Sequence, residues 1–113
     1  MNGDQIYLRH ILDAIAKVET YVSVGRDEFM AQSHWQDAVI RQLEIIGEAA
    51  KQLTDDLRSR HDGVPWRRIC GLRDVLIHDY MGVDLDAVWE VTQANVPQLK
   101  TEVQAILAEL QDG

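Results

Sequence analysis

Little in this sequence can be cross-linked, kinked or inserted into a bilayer. A single cysteine, Cys70, excludes an internal disulfide and the usual zinc clusters built on several thiolates. Only two prolines, Pro65 and Pro97, interrupt the chain, so long stretches are free to be helical. No apolar run approaches the ~18 residues of a membrane span, and no basic-then-apolar leader is present. The expected setting is therefore cytoplasmic, with no membrane contact. Positive charge is scarce as well: 11 Lys and Arg face 19 Asp and Glu, a net charge of −8. That is the wrong sign for a protein that coats nucleic acid nonspecifically. What remains is globular in composition, 46% apolar and 27% charged over 113 residues, and is read as one domain spanning 1–113.

The distribution of charge says more than its sum. Residues 58–78 hold five arginines (Arg58, Arg60, Arg67, Arg68 and Arg73) against Asp62 and Asp74, a local +3 that leaves −11 on the rest. An acidic body weakens general affinity for RNA, while a local basic patch can still hold a few phosphates. Without further pattern, such an island reads as a solvated basic turn.

Hydrophobic spacing predicts helices throughout and no strands. Ile11, Ile15, Val18 and Val22, with Leu8 and Leu12 beside them, mark a helix over about 4–24. Gly25 and the charged Arg26-Asp27-Glu28 break it, and Phe29 and Met30 suit a short turn. A second long helix over about 33–53 carries Val39, Leu43, Ile46, Ala50 and Leu53, with Ser33 as expected N-cap. Gly47, Ala49 and Ala50 are small enough for another helix to cross closely. Residues 54–64 read as a loop with one helical turn. Pro65 suits the first position of a helix over about 65–79. Gly82-Val83-Asp84 ends that segment and caps a last one over about 85–111, kinked or split near Pro97. There are no repeats, low-complexity stretches or long linkers. The expected fold class is all-α, an antiparallel bundle of four to five helices.

The most informative stretch is Arg73-Asp74-Val75-Leu76-Ile77-His78-Asp79-Tyr80, an R-x-x-x-x-H-x-Y pattern. Arginine is permanently charged and forks onto phosphate oxygens. Histidine gives or takes a proton near neutral pH. The two form a minimal kit for breaking an RNA phosphodiester without a metal, because the 2′-hydroxyl of RNA can itself be the nucleophile. On an ideal helix, at about 100° per residue, Ile69, Leu72, Val75 and Leu76 make a core stripe with Arg73 and Tyr80 at its edge. His78 and Gly71 share the opposite face, with Asp74 beside them. Arg73 and His78 are then about 140° apart and about 7.5 Å apart along the axis. A working site needs the reach of Arg73, a distorted helix end near His78, or a second copy of the helix. Gly71 on the His78 face suits the last, by letting a partner backbone approach, and symmetric dimers are the commonest such assembly.

At this point the sequence resembles a known family, the HepT-type toxins of the HEPN superfamily of all-helical ribonucleases. Residues from much of the chain carry the resemblance: Gln36-Asp37-Ala38-Val39-Ile40-Arg41 leading into Leu43-Glu44-Ile45-Ile46-Gly47-Glu48-Ala49-Ala50-Lys51, then Pro65-Trp66 with Ile69. It continues through Gly71-Leu72-Arg73-Asp74-Val75-Leu76-Ile77-His78-Asp79-Tyr80, and Val83-Asp84 with Val88-Trp89 completes it. The resemblance implies a HEPN-like five-helix bundle and a homodimer with both motifs facing one cleft. It also implies metal-independent cleavage of RNA, often tRNA, and a minimal nucleotidyltransferase antitoxin that attaches AMP to the phenol at the Tyr80 position. No cofactor is expected.

Each residue has a functional and a structural reading. Arg73 would grip the scissile phosphate and steady its developing charge, or pair with Asp74 or Asp79. His78 would be general base or acid, or a surface imidazole. Tyr80 would be the modified phenol, or a packed ring. Asp74 would orient His78, or be solvated. Arg67 and Arg68 read as solvated or RNA-steering. His10, His34 and His61 lack metal-ligand spacing and read as structural or surface residues. Cys70 reads as packing, Glu44 and Glu48 as ion pairs with Arg41 and Lys51, and Trp35, Trp66 and Trp89 as anchors. Two functions of different class stand: a small endoribonuclease, or a non-catalytic helical module that docks a nucleotidyltransferase. The intact Arg–His pair favours the first.

Overall fold

The computed structural model describes residues 3–72 and 84–112. Three long helices build its frame, and each forms where apolar residues recur on one stripe. Helix α1 (Gly3–Val22) buries Leu8, Ile11, Ala14, Ile15 and Val18. Gly25, at φ 94, turns the chain sharply in a conformation that side chains resist, and α2 (Arg26–Ala31) begins at once. The first helix does end before Gly25 and Arg26-Asp27-Glu28, as expected, and those three residues open the short α2, where two acidic side chains suit the positive helix start. Helix α3 (Ser33–Lys51) buries Val39, Leu43, Ile46 and Ala50. Its N-cap is Gln32 rather than the expected Ser33. The extended backbone of Gln32 ends α2 and starts α3 in one residue, which places Ser33 inside the helix.

The start of α1 meets the end of α3. The Asp4 carboxylate accepts from Thr54 N at 2.9 Å and from Thr54 Oγ1 at 2.8 Å. At the other end, Tyr21 of α1 packs on Trp35 of α3 with ring centroids 6.3 Å apart. The two helices are therefore antiparallel. The helical turn expected within 54–64 is α4 (Asp55–Arg60), capped by Thr54, whose side-chain oxygen accepts from Leu57 N. Helix α5 (Trp66–Cys70) follows. Pro65 is its N-cap, one position earlier than expected, and the single helix anticipated over 65–79 is interrupted by a turn at Gly71, while residues 73–79 lie outside the described residues.

After the undescribed residues 73–83, Asp84 caps α6 (Leu85–Glu90) by accepting from Ala87 N at 3.0 Å, as the sequence suggested. Val91–Asn95 then widens into a π-helical turn that leads into α7 (Val96–Asp112). Pro97 has no N–H for the carbonyl of Gln93, so the ladder loses a rung there and the helix adjusts just upstream. Val91 and Val96 keep α-helical backbone angles, so the axis is adjusted rather than split. Lys100 reaches back to Glu19 at 3.0 Å, pairing the start of α7 with the end of α1.

The core lies where α1, α3 and α7 meet, with Phe29 from α2 and Leu57 from α4 closing it at its edges. Fully burying one such side chain contributes about 1.5–3 kcal/mol. Arg26 of α2 binds Asp86 of α6 at 2.6 Å, and the rings of Phe29 and Trp89 are 5.2 Å apart, so the short α2 holds the start of α6. The fold is an all-α bundle, with no strand among the described residues. No helix among those residues is long and apolar enough to cross a membrane.

Candidate functional site

Helix α5 delivers the chain to the R-x-x-x-x-H-x-Y segment. Its own placement is held from several sides. At its start, Trp66 is 6% exposed and its indole Nε1 donates to the His61 carbonyl at 3.0 Å. Ile69 is buried against the bundle. At its end, Arg58 of α4 donates to Cys70 Sγ at 3.7 Å, which gives the half-buried thiol a packing and hydrogen-bonding role. Gly47 of α3 faces the same end. A Cβ there would stand 3.2 Å from the Ile69 carbonyl oxygen and 3.5 Å from that of Cys70. The small residues expected to permit a close helix crossing therefore do so at Gly47.

Arg67 and Arg68 project from α5 into solvent, and neither has an ion-pair partner among the described residues. Arg58 and Arg60 differ. Arg58 pairs with Asp55 at 2.7 Å and Arg60 with Asp56 at 3.1 Å, both along α4. The basic island read from residues 58–78 is thus narrower than its sum suggested, because two of its cations are answered by carboxylates just upstream. The free positive charge within the described part of the island sits on α5.

Gly71 ends α5, and its φ of −88 is open to any residue. The atoms nearest a Cβ at Gly71 belong to its own preceding turn, the carbonyls of Arg67 and Arg68, so no other described element requires a glycine here. Arg73, Asp74, His78 and Tyr80 lie outside the described residues. Beside α5, an apolar cavity of about 190 Å³ opens between α3 and the π turn, lined by residues such as Ile46, Ile69, Leu72, Val91 and Leu99.

The remaining candidates take the structural roles given to them. Arg41 stands 3.9 Å from Glu44, and Lys51 stands 3.4 Å from Glu48. His10 packs edge-on to Tyr7, His34 lies against Trp35, and His61 Nε2 faces Glu109 at 3.9 Å. Trp35 and Trp89 are half-buried against the core. Among the described residues, no three His, Cys, Asp or Glu side chains converge as metal ligands would.

The described residues form an all-helical bundle in which the exposed Arg67 and Arg68 precede the Arg73–Tyr80 segment along the chain. The family described as "Ribonuclease HepT-like" matches residues 11–106, and the chain belongs to it. A "Gamma-glutamylcyclotransferase and putative RNase" of Methanocaldococcus jannaschii is 44% identical over 94% of this chain, which spans about half (48%) of that longer protein. A "Putative RNase" of Caldanaerobacter subterraneus subsp. tengcongensis is 39% identical over 95% of this chain and 96% of its own length. A "Probable ribonuclease HepT" of Thermococcus cleftensis is 38% identical over 88% of this chain and 92% of its own. No solved structure matches.

Proposed function

We propose that this chain is a metal-independent endoribonuclease, the toxin of a toxin–antitoxin pair, acting as a homodimer in the cytoplasm. The observation that carries the reading is the family match over 11–106, a span that contains the whole Arg73–Tyr80 motif. The similarity to proteins described as RNases supports it. Exposed Arg67 and Arg68, immediately upstream of Arg73, provide charge for a few RNA phosphates.

In this mechanism Arg73 holds the non-bridging oxygens of the scissile phosphate and stabilises their added charge as the phosphorus becomes five-coordinate. His78 takes the proton of the 2′-hydroxyl, with Asp74 orienting the imidazole. The 2′-oxygen bonds to phosphorus as the bond to the 5′-oxygen breaks, and the leaving oxygen collects a proton. The products are a 2′,3′-cyclic phosphate and a free 5′-hydroxyl. On the ideal-helix spacing expected from the sequence, one copy would hold Arg73 and His78 on different faces, and a homodimer supplies the missing group from its second copy. A nucleotidyltransferase antitoxin silences it by placing AMP on Tyr80, where the added phosphate competes for Arg73. The resemblance to HepT-type toxins, which often cut tRNA, makes tRNA the first RNA substrate to test.

Incubation of unmodified protein with RNA in excess EDTA tests the reading. Cleavage to cyclic-phosphate ends is the expected result. Intact RNA in that assay would remove the nuclease and leave the docking module for a nucleotidyltransferase.

A further inference from the structure

Resting on the ribonuclease reading, we propose that Gly47 is a positioning residue for cleavage. It is the seat on α3 that sets where α5 ends, and so where the chain enters Arg73. The geometry is specific. The space a Cβ would need at Gly47 is bounded by backbone, the carbonyl oxygens of Ile69 at 3.2 Å and Cys70 at 3.5 Å, with Leu72 Cβ at 3.9 Å. A flexible side chain could swing away from an added methyl group, but a backbone carbonyl can yield only if the end of α5 moves with it. Leu72 is one bond from Arg73, so that displacement passes into the motif through the chain itself.

Other contacts concentrate the displacement there. The start of α5 is fixed by the Trp66–His61 hydrogen bond and by burial of Trp66. Gly47 is itself buried within α3, a long helix whose flanking residues Ile46, Ala49 and Ala50 are core residues, so α3 is the less movable partner. Arg67 and Arg68 point to solvent and make no ion pair among the described residues, so their hold on RNA phosphates tolerates a small shift. A methyl at Gly47 therefore separates two quantities that ordinary destabilisation would move together. RNA binding through the arginines persists while the chemical step slows. The stability effect also has an opposing component, because Gly→Ala inside a helix favours the helix by reducing backbone freedom in the unfolded chain.

The test compares wild type, Gly47→Ala and Gly63→Ala, the last at a glycine where a Cβ meets nothing within 4 Å. Cleavage kinetics, thermal melting and amide NMR spectra are recorded for each. Gly47→Ala is expected to lose about tenfold to a hundredfold in kcat, the scale of losses from sub-ångström to one-ångström misplacement. Its KM should stay within about twofold, its melting temperature should hold, and the amide resonances of Cys70, Gly71 and Leu72 should move. Gly63→Ala should match wild type. Equal kcat for Gly47→Ala and wild type would overturn the proposal. So would a joint fall in kcat and helical circular dichroism, which would make Gly47 a packing residue only. A wild type that cuts no RNA fails the ribonuclease reading instead, whereas a wild type that cuts alongside an equally active Gly47→Ala fails only the seat.

Discussion

Removing Arg67 and Arg68 should change how RNA binding responds to salt, and removing Arg60 should not. Both α5 arginines are exposed and unpaired among the described residues, whereas Arg60 already holds Asp56 at 3.1 Å. A cation that contacts a phosphate of single-stranded RNA contributes about 0.7 to the slope of log affinity against log salt, through release of counterions. Losing both α5 contacts should lower that slope by about 1.4. Between roughly 50 and 200 mM salt, the affinity deficit of the double variant should therefore shrink about sevenfold. Arg60→Ala frees Asp56 as well as removing a cation, and because phosphate would first have to displace that carboxylate, its slope should stay near wild type. The measurement is fluorescence anisotropy with a labelled single-stranded RNA, on a His78→Ala background so that the probe survives. An unchanged slope for the double variant, or an equal change for Arg60→Ala, would refute the assignment of the RNA-steering charge to α5.

Three further outcomes follow from the same reasoning. His78→Ala and Arg73→Ala should each lose about 10²–10⁴ in cleavage rate while retaining helical circular dichroism, and full activity in either would contradict its role. A cognate nucleotidyltransferase with ATP and Mg²⁺ should add AMP in steps of roughly 329 Da by intact mass, and Tyr80→Phe should still cut RNA yet escape silencing. Equal silencing of Tyr80→Phe would reject that assignment. Thr54→Ala removes the α4 cap and a hydrogen bond to Asp4, which should cost about 1–2 kcal/mol and lower the melting midpoint by several degrees, whereas a midpoint unchanged within a degree would show the cap to be idle.

The long helices were legible because their burial pattern is local. Leu8, Ile11, Ile15 and Val18 declare α1, and Val39, Leu43, Ile46 and Ala50 declare α3, each by spacing alone. Asp84 was legible as a cap for the same reason, since its partner is three residues away. Long-range pairings were not. Nothing in the spacing of Asp4 and Thr54, or of Arg26 and Asp86, links residues 50 and 60 positions apart. The overestimated basic island is instructive: Asp55 and Asp56 lie just outside a window starting at Arg58, and a charge count along the chain ignores pairs made along a helix face. Ser33 misled because its chemistry suits a cap, while the single-residue junction at Gln32 had already taken the position. Of the candidate site, the Arg73–Tyr80 motif rests on the sequence alone, because it lies outside the described residues. The structure adds the free charge of Arg67 and Arg68 and the close crossing at Gly47.

The widened turn at Val91–Asn95 bears on how the chain can change length. A π turn is an α-helix carrying one residue more than its hydrogen-bond ladder would otherwise use. Elsewhere in a helix, gaining or losing a residue rotates everything downstream by about 100° and drives the buried stripe into water. At Val91–Asn95 the surplus is already accommodated, with Val88 buried before it, Thr92 buried within it, and Val96, Leu99 and Val103 buried after it. A homologue one residue shorter is best accommodated there, by reverting the segment to regular helix while leaving α7 in phase with α1. When relatives of unequal length are aligned, that is where a single-residue gap belongs.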